Sequence, residues 1–471
     1  MSVQLLVQHP DTYLPERQYI FEVLLGEFLG IEFETRTIEQ PVVRITRLES
    51  IDKKKLRLTD TLFQTPPDQW LAALSLPEQP ITNWEVDDDL SSASLISNTL
   101  PVIYGREPFY ARSENVIDIG IDVFGSSFFQ LTRYEEMVKS DLDSYERFPA
   151  SASLALQEGF LERPLVNEYL ELLWAALQAL WPGLKRKPRE PRIFLSHDVD
   201  FPFCSIGLPL TAVLRQSTGD LLKRRQPRLA SRRMRSYFQT RRGNLENDIC
   251  NTFDFIMDVA EEHSLKSEFY FIPTHSGGEI DGYYSLDDAE IRQLIRRINR
   301  RGHDFGYHGS YNTFLDPKTT KDEVDVLLNV LEEEGVVQDA FGGRQHFLRW
   351  RNPATWQNWA DAGMAFDSTL GFSEHIGFRS GTCYEYPVFN LFTREPLSLR
   401  ERPLIVMDIT LFPGYGHMNL AWDEAVARSV ALYETCKILR GDFTFLWHNN
   451  HLVTPQEREC FKSILTAITD S

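Results

Sequence analysis

The sequence predicts an α/β protein: a seven-stranded β/α barrel over residues 189–471, preceded by a separate α/β domain over residues 1–188. Three observations carry this reading. The chain has 471 residues, too many for one average domain and enough for two. The second half repeats short apolar runs separated by segments with helical spacing, the rhythm of a parallel sheet closed into a barrel. The stretch Trp181-Pro-Gly-Leu-Lys-Arg-Lys-Pro-Arg-Glu-Pro191 is rich in proline and charge and reads as the linker.

Composition narrows the function classes. Hydrophobic residues at 42% and charged residues at 25% are ordinary for a globular chain. With 49 basic and 68 acidic residues the net charge is −19, which excludes nucleic-acid binding through bulk charge. The longest apolar run, Leu170 to Trp181, is broken by Glu171 and Gln178 and is too short to span a membrane. Met1 to Arg17 lacks the pattern of a signal peptide. Cys204, Cys250, Cys383, Cys436 and Cys460 are scattered singly, against a disulfide framework and a zinc–thiolate site. The expected compartment is the cytoplasm.

In the first domain, Tyr13 to Phe28 has helical spacing and Pro41 to Leu48 is β-branched and strand-like. Pro101 to Tyr104 and Val116 to Ile121 read as strands, Phe124 to Glu136 as a turn opening a helix, and Pro164 to Leu180 as an amphipathic helix. No nucleotide loop, metal spacing or nucleophile elbow occurs here. Arg133, Glu135 and Glu136 read as a solvated helix face or an ion pair at an interface.

In the second domain the strand-like runs are Arg192–Leu195, Glu268–Ile272, Asp304–Tyr307, Gln345–Arg349, Ala365–Ser368, Leu404–Ile409 and Phe443–Trp447. Helical patterns lie between most of them; Leu286 to Arg301 follows the cap-like Ser285-Leu-Asp-Asp. One insertion interrupts the rhythm. Between Leu221 and Leu245 there is no acidic residue, while Lys223, Arg224, Arg225, Arg228, Arg232, Arg233, Arg235, Arg241 and Arg242 fall within it. It reads equally as a solvated excursion or as a clamp for phosphate, nucleotide or an acidic lipid surface.

Barrel strands deliver reactive side chains at their C-terminal ends. The first strand ends in Ser196-His-Asp-Val-Asp200, the third in Gly306-Tyr-His-Gly-Ser-Tyr-Asn312, the fourth in Arg349-Trp-Arg-Asn-Pro353 and the seventh in Trp447-His-Asn-Asn-His451; His275 follows the second, and Asp367 and Asp408 lie on the fifth and sixth. Asp198 and Asp200 are two apart and share one side of an extended strand. One carboxylate can ligate a divalent metal while the other takes a proton. His308 supplies a nitrogen ligand, and Asn312 or Ser310 completes the set. Arg349 or Arg351 keeps the free carboxylate ionised. His448 is placed as a general acid. His275 and His346 lie near enough to the mouth to take part. Tyr311, Trp350, Trp356, Phe372 and Trp447 are candidates to stack on a substrate ring, and Arg379 in a glycine-flanked loop is a candidate grip for an anionic group.

This set resembles the polysaccharide deacetylases, the NodB-homology fold of carbohydrate esterase family 4. The family's first motif pairs a base with a metal-binding Asp, which Asp198 and Asp200 resemble. Its His-Ser/Thr-x-x-His motif is similar to His308-Gly-Ser-Tyr-Asn312, with Asn312 at the second histidine. Its orienting Arg is matched by Arg349 or Arg351, the later Asp by Asp367 or Asp408, and the acid histidine by His448. The resemblance covers residues from about 190 to 471 and follows the family's order. It departs in two places: Val199 separates the two carboxylates, and Asn312 replaces an imidazole.

The resemblance implies a distorted (β/α)7 barrel of the deacetylase type, a divalent metal ion expected to be Zn2+, and a metal-dependent hydrolase that de-N-acetylates a sugar. A phosphorylated, nucleotide-linked or lipid-linked sugar in surface-polysaccharide assembly would suit a cytoplasmic protein with a basic insertion. Two rivals stand beside it: a glycoside hydrolase on a related barrel, using Asp198 with Asp367 or Asp408, and a non-catalytic carbohydrate-binding or scaffold protein.

Overall fold

The computed structural model describes residues 4–48, 53–204, 206, 208–222, 225–412 and 417–470. The chain forms two compact units. The first comprises Met1–Arg192 with Gly377–Pro403 and Thr435–Asp442; the second comprises Ile193–Ile376, Leu404–Glu434 and Phe443–Ser471.

The first unit is built on a six-stranded mixed sheet. Its order is Phe33–Thr37, Leu5–His9, Val42–Arg47, Lys55–Thr59, Val116–Ile121 and Gly105–Ser113. Alternate residues on the inner strands, Leu5 and Val7, Val43 and Ile45, Leu56 and Leu58, Ile117 and Ile119, are buried. This two-residue period puts one face of the sheet against the helices Val123–Leu131 and Leu165–Leu180. The predicted Tyr13–Phe28 helix is an α-helix over Leu14–Phe21 that widens into a π-helix over Glu22–Phe28.

The second unit is a parallel barrel sheet. Its strands are β1 (Arg192–Val199), β2 (Ser267–Phe271), β3 (Asp304–Gly309), β4 (Gly342–Gln345), β5 (Phe366–Asp367), β6 (Val406–Met407) and β7 (Asp442–Leu446). Their spatial order is β5-β4-β3-β2-β1-β7-β6, so the seven strands run around the sheet in sequence order. A backbone bond from Leu404 N–H to the Leu370 carbonyl at 3.1 Å joins the segment after β5 to the segment before β6. β3 and β7 are buried almost along their whole length, as expected where helices cover the outside of a parallel sheet.

The fourth strand begins three residues before its predicted place. Gly342-Gly343 resembles a turn in sequence, yet here only glycine fits. A Cβ on Gly343 would lie 1.8 Å from the Tyr307 carbonyl oxygen, and one on Gly342 would lie 2.4 Å from the Phe366 ring.

Two helices, α1 (Leu210–Leu222) and α2 (Pro227–Thr240), form the insertion after β1. They pack as a hairpin held by Val213, Tyr237 and Leu208 and by a buried ion pair between Asp220 and Arg233 at 2.7 Å. Lys223 and Arg224 of the basic run lie outside the described residues. Cys204 and Cys250, read from sequence as single residues, are joined as a disulfide across the base of this insertion, with Cα atoms 5.4 Å apart. Spacing alone does not show the pairing, because 46 residues separate the two sulfurs. Among the described residues no helix is long and apolar enough to cross a membrane.

Candidate active site

β1 carries alternating side chains to opposite faces. His197 points away from the other candidates: its Nδ1 bonds the Trp447 carbonyl at 2.7 Å, its Nε2 lies 3.2 Å from Ser267 Oγ, and its ring stacks on Phe269. Burial pulls its pKa down to about 3, so it is a neutral packing histidine. Asp198 and Asp200 face the other way, as the two-residue spacing predicts.

Arg344 on β4 donates from Nη1 to Asp198 Oδ1 at 2.7 Å. Its remaining N–H groups bond the Ser368 carbonyl, Ser368 Oγ and Ser196 Oγ at 2.9–3.1 Å, and its guanidinium lies over Tyr270. Arg344 is fully buried and Asp198 is 2% exposed. A guanidinium fixed on several sides holds its carboxylate in place, and each group offsets part of the other's desolvation penalty.

Asp200, His308 and His346 converge from the ends of β1, β3 and β4, their ligand atoms within 4.8 Å of one another and all buried. His308 Nε2 lies 3.3 Å from Asp200 Oδ1, and His346 Nε2 lies 3.6 Å from it. Both rings are fixed from behind. His308 Nδ1–H donates to the Arg344 carbonyl at 2.8 Å, and His346 Nδ1–H donates to Asp281 Oδ1 at 2.9 Å. A carbonyl only accepts, so the proton of a neutral His308 sits on Nδ1 and the Nε2 lone pair faces the carboxylate. Asp200 Oδ1 and His308 Nε2 are buried without a hydrogen-bond partner of good geometry.

Burial and neighbouring charge act against each other at both groups. Burial alone would raise the Asp200 carboxyl, but His346, His308 and His448 hold it well below the usual carboxylate range. Burial would lower His308, and the Asp198 and Asp200 carboxylates outweigh it and raise it. Lone pairs converging on one carboxylate oxygen in a buried pocket call for a positive charge between them. Two imidazoles and one carboxylate are a donor set suited to a Zn2+-like ion with open positions left over.

His448 follows β7. Its Nδ1–H donates to Asp408 Oδ1 at 2.7 Å, and its backbone N–H donates to Asp408 Oδ2 at 3.0 Å. His451 shares Asp408 Oδ2, also at 3.0 Å. Burial lowers the His448 pKa, but the carboxylates of Asp408, Asp200 and Asp198 prevail and raise it to about 9. His448 Nε2 then points at Asp198 Oδ2 and Asp200 Oδ2, 3.9 Å from each.

The structure thus gathers Asp198, Asp200, His308, Asp408 and His448. It does not bring in several other predicted residues. Asn312 Oδ1 accepts from Arg349 at 3.3 Å and its Nδ2 donates to the Ser276 carbonyl at 2.8 Å. Ser310 Oγ donates to Glu323 at 2.5 Å. Arg349 holds the Tyr311 carbonyl at 2.5 Å and lies over the Tyr311 and Phe314 rings, bracing that loop. Arg351 anchors the next turn through its backbone N–H to Thr355 Oγ1. Both arginines follow β4 because that strand ends earlier than predicted, which leaves Arg344 in the orienting position. Asp367 accepts from the Thr369 N–H and hydroxyl, and burial pushes its pKa up to about 7.

The sugar-stacking expectations change too. Trp350 packs edge-on against Trp356, and Trp447 sits among Phe445, Phe461 and Phe412, so both rings are core. Tyr311 is half-buried and keeps one edge near Phe347. Arg379 belongs to the first unit, where Glu136 takes its Nε at 3.0 Å and Nη2 at 2.6 Å; Arg133 binds the same Glu136. The first unit's charged trio is therefore a buried structural network.

Sequence reasoning did not select Arg344 or Asp281 and gave His346 only a place near the mouth. The signal for the first was the Gly342-Gly343 pair, readable as a strand start only once close approach to β3 is known. Asp281 lies in a loop whose fold sequence does not reveal.

The family described as "Family of unknown function (DUF7033)" matches residues 5–182. No curated protein matches the chain. Among solved structures, a Mycobacterium smegmatis protein described as a polysaccharide deacetylase is 17% identical with a TM-score of 0.38, over 60% of this chain and 85% of that one. The Xyl-CE4 domain of a multidomain xylanase from the hindgut metagenome of Trinervitermes trinervoides is 12% identical with a TM-score of 0.28, over 60% and 84%. The Puue allantoinase is 10% identical with a TM-score of 0.38, over 62% and 87%.

Proposed function

We propose that the barrel is a metal-dependent hydrolase of the polysaccharide-deacetylase kind that removes acetyl from an N-acetylated sugar. One observation supports this above all. Asp198 and His448, each locked by its own charged partner, face each other across 3.9 Å beside Asp200, His308 and His346. Asp200, His308 and His346 would hold the ion. A divalent cation there supplies Lewis acidity toward a carbonyl and lowers the pKa of water. Asp198, fixed through Oδ1 by Arg344, accepts the proton of the attacking water at Oδ2. His448 carries its proton on Nε2 toward the departing amine, and Asp408 stabilises the imidazolium. In this reading His346 supplies the imidazole that Asn312 lacks.

A carrier-linked or phosphorylated sugar in surface-polysaccharide assembly remains the substrate class we favour. The test is to load the full-length protein with Zn2+, add N-acetylglucosamine oligosaccharides, and measure acetate and reducing ends. Acetate matched by new free amines, with reducing ends constant, supports the reading. New reducing ends without acetate overturn it.

A further inference from the structure

We infer that the α1–α2 hairpin is a docking surface for an anionic phospholipid membrane. This goes beyond the chemistry proposed for the barrel and does not depend on it. Two rows of side chains carry the inference. On α1, Leu210, Leu214, Leu221 and Leu222 are 41%, 47%, 50% and 69% exposed. At 3.6 residues per turn the first three fall within about 40° of one another, so they form a stripe. The buried side adjoins this stripe: Ser217 lies about 20° from Leu210, and Val213 and Asp220 about 60–80° from it. On α2, the exposed Arg228, Arg232 and Arg235 fall within about 60° of one another, with exposed Phe238 beside them.

The charges of this hairpin are not used up internally. Arg233 is spent on Asp220, and one N–H of Arg232 on the Val453 carbonyl. Arg228 and Arg235 have no ion pair among the described residues. In a chain of net charge −19, a run from Leu221 to Leu245 without one acid is set against the rest of the surface.

A soluble polyanion would use the arginines and leave the leucines in water. A second copy of the hairpin would cover the leucines but set bases against bases. A surface of acidic headgroups over acyl chains uses both rows, the pattern of an interfacial amphipathic helix. The hairpin follows directly from β1, whose C-terminal end carries Asp198 and Asp200. It therefore belongs to the loops at the end of the barrel that holds the site.

Flotation of the full-length protein with vesicles tests this. The protein should bind vesicles of 70% phosphatidylcholine and 30% phosphatidylglycerol, not pure phosphatidylcholine, and release at high salt. Exposed bases contribute about 1 kcal/mol each near an acidic surface, so Arg228→Gln with Arg235→Gln should lower affinity about 30-fold. Leu214→Ser, Leu221→Ser and Leu222→Ser together should lower it about 100-fold. Hydrogen exchange on the unaltered protein should slow over 210–240 when acidic vesicles are added. Absence of binding, equal binding to neutral vesicles, or leucine variants that bind as tightly as the parent overturns the proposal. So does a hairpin-dependent dimer that the leucine variants dissolve, or dextran sulfate bound as tightly as vesicles.

Discussion

Arg344 and Asp198 form a fully buried pair, 2.7 Å apart, in which the arginine is fixed by two serines and a carbonyl before it reaches the carboxylate. Asp198 is therefore held in one orientation, with Oδ1 occupied and Oδ2 left for chemistry.

That pair yields the first prediction. Arg344→Lys keeps a charge but loses the fork that spans Asp198, Ser196 and Ser368. Turnover should fall by on the order of 10²-fold, the scale of a displaced general base. Arg351→Gln, remote from Asp198, should stay within about twofold. Comparing kcat for the two variants at equal metal content checks the assignment.

Metal retention separates the ligands. His346→Ala should lose Zn2+ to a chelator that leaves the parent loaded, and Asn312→Ala should retain it. Asp281→Asn should weaken binding about 10–100-fold, because that carboxylate orients the His346 ring from behind. Equilibrium dialysis with metal analysis reads all three.

The His448–Asp408 pair sets a pH dependence. His448 is raised from 6.5 to about 9, so its contribution to stability is fully present below pH 6.5 and is lost as pH rises through about 9. Asp408 is held below its ordinary value, chiefly by His448 and His451 acting against burial, so its contribution is lost on acidification instead. The melting temperature should fall between pH 7 and pH 9.5. Asp408→Asn should flatten that fall and move the alkaline limb of kcat/KM from about 9 toward 6.5. A limb that does not move assigns the acid to another group.

Gly343→Ala tests the strand that carries Arg344. The added Cβ would meet the Tyr307 carbonyl at 1.8 Å, inside any real contact. Since both strands are buried, the loss should be about 3 kcal/mol or more, measured by urea unfolding.

Much of this site is legible in sequence because its residues cap apolar runs. Asp198, Asp200, His308 and His448 each follow strand-like segments, and the order of those segments is the order of the barrel. His346 and Arg344 escape because glycines that admit close backbone approach look like a turn. Arg349 and Arg351 then seem to stand at the strand end, while in the fold they brace the following loop. Trp350 and Trp447 illustrate a second limit: an aromatic beside a reactive residue can face inward, and composition does not say which way it turns. Asp281 depends on a loop path that sequence does not show and that its bonds to Gly277, Tyr311 and His346 help to fix.

The bridge between Cys204 and Cys250 makes the intervening stretch a covalent ring. A protease that cuts beside Arg225 or Gln226, both exposed, would open the ring without parting the chain. The fragment bearing Asp198 and Asp200 and the fragment bearing His308, His346 and His448 would migrate as one band on a non-reducing gel and as two once reductant is added. Such a break would leave the two pieces joined under oxidising conditions, and a thiol reductant would then turn the same nick into a severed chain.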